Sequence, residues 1–232
     1  MKKCPVVRSA LAAAAFALFA GAAQAEIIGG VDFPEGASSF ADGVQSYAPP
    51  VPGPSAPHQG PDNSLGIPNY AGVNSCANIA SCSFVSLGDG GTLIVEFVDN
   101  RLTGSGTAAD DLWIFEVGPD VEDTFVSISK DGIAWHDVGK VFGSKSGIDI
   151  DLFGWGISDQ FRFVKLTDDT NEGGQGSGGT VGADIDAVGA ISSIATPVPE
   201  PETWAMIMFG AMAIGLHRRR ALKAAKRRAE PA

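Results

Sequence analysis

Carboxylates are the side chains in this sequence whose types and spacing best suit chemistry. Asp184 and Asp186 stand either side of Ile185, and strand alternation turns such a pair to one face. Asp99-Asn100, Asp110-Asp111 and Asp149-Ile150-Asp151 add oxygen donors at the ends of apolar runs. Ca2+ takes about six to eight oxygens from carboxylates, carbonyls and water. The expected metal set is Asp99, Asp111, Asp184 and Asp186, holding one structural Ca2+. The Asp-x-Asp-x-Asp-Gly series of an EF-hand is absent. The competing reading leaves these groups as solvated surface acids, which are commonplace.

Carbohydrate binding is the second chemistry the residues allow. Trp155 lies in Phe153-Gly154-Trp155-Gly156, where the glycines favour a loop. It is the aromatic expected to be exposed for stacking on a sugar ring. Tyr70 is a further stacking candidate, whereas Trp113 and Trp135 fall inside strand patterns and read as core. Catalysis finds less support. His136-Asp137 are adjacent, which puts them on opposite faces of a strand. No Gly-x-Ser-x-Gly elbow occurs. Gly104-Ser105-Gly106-Thr107 imitates a dinucleotide loop, but a strand follows where a helix is required. Gly143-Ser144-Lys145-Ser146 lacks the first glycine of a P-loop. The expectation is a non-catalytic protein. A glycan hydrolase using paired carboxylates stays open, because the separation of carboxylates cannot be read from sequence.

These groups must be positioned by strands. Leu93–Val98, Leu112–Val117, Phe125–Ser129, Ile133–Val138, Phe161–Leu166 and Ile185–Ile191 are short runs rich in β-branched and aromatic residues. Lys130-Asp131-Gly132 between two of them is a hairpin signal. Apolar residues on both faces of Leu93–Val98 and Leu112–Val117 predict central strands covered on each side. The expected fold is all-β, a single β-sandwich of jelly-roll type. The Pro-, Gly- and Ser-rich stretch 48–68 reads as an extended surface loop. Residues 26–83 contribute N-terminal strands and this loop, and 84–196 the core of the same domain. Between Glu26 and Val198 there are 24 acidic and 6 basic residues, a net of −18. So acidic a segment repels nucleic acid and anionic lipid.

The two ends are different in kind. Lys2, Lys3 and Arg8, then Ala10–Ala20, then Ala23-Gln24-Ala25, carry the three parts of a secretory signal, so 1–25 is expected to be removed by the secretion machinery. Cys4 leaves with it. Cys76 and Cys82 then remain, and the oxidising compartment favours a disulfide between them. Without a nearby histidine they make a poor zinc site. At the other end Val198-Pro199-Glu200-Pro201-Glu202-Thr203-Trp204 precedes an apolar run and Arg218-Arg219-Arg220. The run Thr203–Leu216 is 14 residues, about 21 Å as a helix, short of a bilayer core. Trp204 suits one membrane interface and the arginines suit the cytoplasmic side.

Pro-Glu-Pro, a nearby Trp, a short apolar helix and an Arg cluster resemble the PEP-CTERM sorting signal. The same short tail is also known as an ice-binding-protein C-terminal domain. The resemblance spans 197–228, with a transmembrane helix over 203–216. It implies cleavage by an exosortase near the Pro-Glu-Pro, after transient anchoring in the inner membrane. Release to the cell surface or to an exopolysaccharide matrix follows. The middle of the chain resembles bacterial cell-surface proteins with a galactose-binding-like jelly roll. The motifs are Ser86–Phe97, Asp111–Glu116, Val126–Trp135 and Gly182–Val188. Together the two resemblances imply an adhesive or glycan-binding protein whose partners are the exosortase and exopolysaccharide or other glycans.

Overall fold

Alternating apolar residues build two antiparallel sheets that close over one core. The computed structural model describes residues 25–72, 76–117, 122–171 and 179–195, together with Gly210 and Met212. The strands are β1 (Glu26–Ile28), β2 (Val31–Phe33), β3 (Gly43–Ala48), β4 (Val85–Ser86), β5 (Thr92–Glu96) and β6 (Leu112–Glu116). They continue as β7 (Thr124–Ser129), β8 (His136–Val141), β9 (Lys145–Ile148), β10 (Phe163–Asp168) and β11 (Asp184–Ala190). One sheet has the order β3-β5-β10-β7-β8 and the other β4-β11-β6-β9, with β1-β2 as a separate hairpin. Leu93, Val95, Val126, Ile128, Val164 and Leu166 of the first sheet share a buried cluster with Ile114, Ile185 and Val188 of the second. The arrangement is sandwich-like, and the expected all-β class holds.

Both strands expected to be central are central, but only β6 is covered on both faces; Thr92, Ile94 and Glu96 on the outer face of β5 are only half-buried. β5 lies between β3 and β10, and β6 between β11 and β9. The outer face of β6 is covered by the β1-β2 hairpin and the segment after it. There Phe33, Phe40 and Phe115 form an aromatic group, with ring centroids 4.6 Å apart for Phe33–Phe40. Gly189 of β11 permits this packing. A Cβ there would lie 2.8 Å from Phe33 Cε1 and 2.9 Å from Phe40 Cε1. Gly189→Ala is therefore expected to cost about 1–3 kcal/mol by overpacking. It should also make the hairpin the first site of limited proteolysis. A melt and cleavage pattern identical to the parent would show that the rings shift at no cost.

The segment 48–68 departs from the expected extended loop. It folds into two 3-10 turns, Ala56–His58 and Pro61–Ser64, each with proline in its first turn. Proline fixes φ near the value such a turn needs and lacks only an N–H that the first turn leaves unbonded anyway. The segment is tied to the body by Ser55 N–H to Gly179 O (2.9 Å) and Gly66 N–H to Ala41 O (3.0 Å). The hairpin expected at Asp131-Gly132 joins β7 to β8, which pair antiparallel. Asp131 Oδ1 accepts from the amides of Ile133 and Ala134, both at 2.9 Å, and delays β8 until His136.

Nearly all of the signal peptide 1–25 lies outside the described residues, as does the sorting motif Val198, Pro199, Glu200, Pro201, Trp204, Arg218, Arg219 and Arg220. The helix expected over 203–216 also lies outside them, save that Gly210 and Met212 are helical and exposed. Among the described residues no helix is long and apolar enough to cross a membrane.

Candidate functional site

The outer face of the five-stranded sheet is open where that of the other sheet is covered. Strand alternation sends Val126, Ile128, Val164 and Leu166 inward, so Phe125, Ser127, Lys165 and Thr167 point outward. Cross-strand register then sets Lys165 beside Ser127 and Ser127 beside Asp137, with Thr167 beside Phe125 and Phe125 beside Lys140. A bulge lies between these two rows on β8, where Gly139 takes φ +108°, a conformation that favours glycine. The result is a shallow groove of about 420 Å3 lined by these residues. Ser127 Oγ donates to Asp137 Oδ1 at 2.7 Å and orients the carboxylate. Phe125 is 46% exposed. Lys165 Nζ sits 4.8 Å from the ring centroid of Trp135, and Trp135 stands two residues before Asp137. The tryptophan borders the groove.

Trp155 and Trp135 are both half-buried, each with a lysine over its ring, Lys130 and Lys165 respectively. Trp155 is half-buried against the main core. Its ring lies 4.4 Å from His136 and 5.3 Å from Phe161, centroid to centroid. The glycines beside it do make a bend, Gly154 having φ +87°. Beside that bend one side of the ring packs against the core. Trp135, read as core, is only partly buried and is capped by a lysine. Trp113 packs on the second cluster, as its strand pattern implied.

The four carboxylates expected to share one ion fall in separate neighbourhoods. Asp99 lies beside Asp42; burial and the Asp42 carboxyl push its pKa up to about 6. Asp184 is buried, accepts a hydrogen bond from the Ser86 hydroxyl, and faces Glu122 and Asp168. Burial first, then those two charges, push its pKa up to about 7. Asp186 uses both oxygens on backbone amides, Asn69 N–H at 3.1 Å and Tyr70 N–H at 3.2 Å. It clamps that segment onto β11. Asp184 and Asp186 part because β11 carries a bulge between Ile185 and Ala187: Asp184 meets Ser86 on β4, whereas Asp186 meets the amides of Asn69 and Tyr70. Asp111 alone keeps acidic company of metal-binding kind, with Asp149 and Asp151. Burial raises its pKa, opposed by the Ser192 hydroxyl and the Ile150 amide.

Sequence reasoning missed the acid pair Glu116 and Glu122. Both are buried, at 4% and 7% exposure. Glu122 N–H donates to Glu116 Oε1 at 3.1 Å. Burial and the Glu122 charge push the Glu116 pKa up to about 9, so this carboxyl is protonated at neutral pH. The only signal available was a charge at the end of an apolar run.

Cys76 and Cys82 are joined by a disulfide, with Cα atoms 4.3 Å apart. It closes a short loop that holds the 3-10 turn Ile79–Ser81, capped reciprocally by Asn78 and Ser81. The 3-10 turn at Ala56–His58 also brings buried His58 next to the two sulfurs, a neighbour that spacing alone did not reveal.

Residues 197–220 match the PEP-CTERM protein-sorting motif. The motif marks an exported protein that an exosortase sorts, with its tail anchored in the membrane during secretion. Among solved structures, the C-terminal domain of a chitobiase from Bacteroides fragilis aligns with a TM-score of 0.38 at 14% identity, over 69% of this chain and 97% of that one. None of the curated proteins matches this chain.

Proposed function

We propose that this is a non-catalytic glycan-binding module of galactose-binding-like jelly-roll type, delivered to the cell surface or to a surrounding exopolysaccharide by its sorting tail. One observation carries the reading: a single open sheet face combines an exposed ring, Phe125, and a half-buried ring beside it, Trp135, with a polar row. Trp135 and Phe125 offer flat apolar surface of the kind that packs on the C–H face of a pyranose. Asp137, Lys165 and Thr167 offer acceptors and donors for hydroxyls between them. A shallow open groove suits a chain of sugars better than a small buried ligand. Hydrolysis needs two carboxylates flanking the bond, and the groove residues include one, Asp137.

The expected result on an array of bacterial and plant polysaccharides is retention without release of reducing ends. Trp135→Ala and Lys165→Ala should each weaken retention about tenfold, equivalent to about 1.4 kcal/mol. Trp155→Ala is not expected to act this selectively, since it should lower stability first. Reducing sugars released by the parent chain, or wild-type retention in both groove variants, would refute the assignment.

A further inference from the structure

Three carboxylates meet where β6 begins and β9 ends. Asp111 immediately precedes β6, and Asp149 and Asp151 bracket the start of the 3-10 turn Ile150–Phe153 that follows β9. The β6–β9 pairing, Leu112 with Ile148, draws them together. Asp111 N–H donates to Ile148 O at 2.8 Å, and Ile150 N–H donates to Asp111 Oδ2 at 3.0 Å. One oxygen from each carboxylate lies within 4.8 Å of the other two. None of the ion pairs among the described residues includes any of the three. Like charges so close repel unless something positive stands among them.

Asp111 is fully buried, at 0% exposure, and its Oδ1 accepts no hydrogen bond of good geometry, although the Ser192 and Ser105 hydroxyls lie near enough to oppose the rise in its pKa. A buried carboxylate oxygen left without a donor is costly. The nearby amides are committed elsewhere. Ser105 and Gly106 N–H both donate to Asp151 Oδ2 at 2.9 Å, and Asp151 N–H donates to Asp149 Oδ1 at 3.0 Å. Gly104 lets this loop close down: a Cβ there would lie 2.2 Å from Trp155 O and 2.9 Å from Asp151 Oδ1. The backbone is therefore held tightly round a group of oxygens, one of which has no hydrogen bond of good geometry.

We propose that Asp111, Asp149 and Asp151 bind one divalent cation of the hard class, Ca2+, and that the ion ties the start of β6 to the turn after β9. The donor set is all oxygen, with the Ser105 hydroxyl close by at 3.4 Å from Asp151 Oδ2. Such a set selects Ca2+ or Mg2+ over the nitrogen- and sulfur-seeking metals. Ca2+ accepts irregular loop-borne ligands and fills its remaining positions with water, whereas Mg2+ demands a near-ideal octahedron. Only Asp111 is common to this set and the one expected from sequence. The site is independent of the glycan groove.

The test is titration of purified full-length chain, stripped with a chelator, with CaCl2 alone. Calorimetry should give one saturable site. At a hundredfold excess over Kd the melting temperature should rise by roughly 5–10 °C. Asp111→Asn and Asp149→Asn should each weaken Ca2+ binding at least tenfold and abolish most of that rise. Asp32→Asn, on the exposed edge of β2, should bind as the parent does. Asp149→Asn serves alone if Asp111→Asn does not fold. Three results would overturn the site: a parent melt unchanged by Ca2+, wild-type Ca2+ binding in the Asp149 variant, or carboxylate variants more stable than the parent in metal-free buffer with no Ca2+ response in either. The last would mean that the three acids simply share protons.

Discussion

Stability of this protein is expected to fall steadily from about pH 5 to about pH 9, and Glu116→Gln is expected to remove most of that fall. Glu116 is protonated in the folded chain up to about pH 9, against 4.5 for the free group. Between those values folding takes up a proton, because the unfolded chain holds the group ionised. Stability is therefore fully present below about 4.5 and is lost as pH rises toward 9. The slope is on the order of 1 kcal/mol per pH unit, reduced where Glu122 takes part of the proton. Asp184 acts in the same sense over a lower window, from 3.8 to about 7. Glutamine keeps the carbonyl oxygen that the Glu122 amide binds and carries no charge to bury, so Glu116→Gln should be more stable than the parent at pH 8. Urea unfolding at half-unit steps of pH measures this directly. A parent whose stability does not change with pH, or a variant that tracks it in parallel, would show that the pair is hydrated and ordinary.

The elements legible in the sequence were those with strong local signals. β5, β6, β7, β10 and β11 are runs of β-branched and aromatic residues between glycine-rich turns, and each stands where those signals put it. β3 and β9 were not individually legible. Val44-Gln45-Ser46-Tyr47 and Lys145-Ser146-Gly147-Ile148 are edge strands, and an edge needs little apolar character because only one side is paired. The metal set failed for a different reason. Alternation correctly describes which face a residue takes, but a bulge at Ile185/Ala187 and pairing across 38 residues between Asp111 and Asp149 decide which carboxylates meet. The tryptophans failed similarly. Gly154 and Gly156 announce a bend beside Trp155, but the direction of the bend is set by His136 and Phe161, which come from two other segments.

Replacing Pro199, Glu200 and Pro201 together by alanine is expected to abolish processing and leave an intact chain in the inner membrane. The last described stretch of the body is pinned by a two-way backbone pair, Arg101 N–H to Ile194 O and Ile194 N–H to Arg101 O, both 3.0 Å. Pro199 comes five residues later, at most about 17 Å along a fully extended chain. In the sequence the motif lies between a folded body and an apolar run, and a protease that cut there would need it extended. Two prolines spaced by one residue oppose helix on sequence grounds, since each fixes its own φ and biases the preceding residue away from helix. Alanine favours helix, so the triple variant removes the sequence's bar to helix in the motif. Immunoblots of membrane, surface and medium fractions should show the shorter mature form replaced by the longer precursor. Single Glu200→Ala keeps both prolines and separates side-chain recognition from backbone shape. Were it processed normally while the triple variant was blocked, extension alone would be the determinant. Were the triple variant itself matured and released at the parental rate, the Pro-Glu-Pro segment would have no part in sorting this protein.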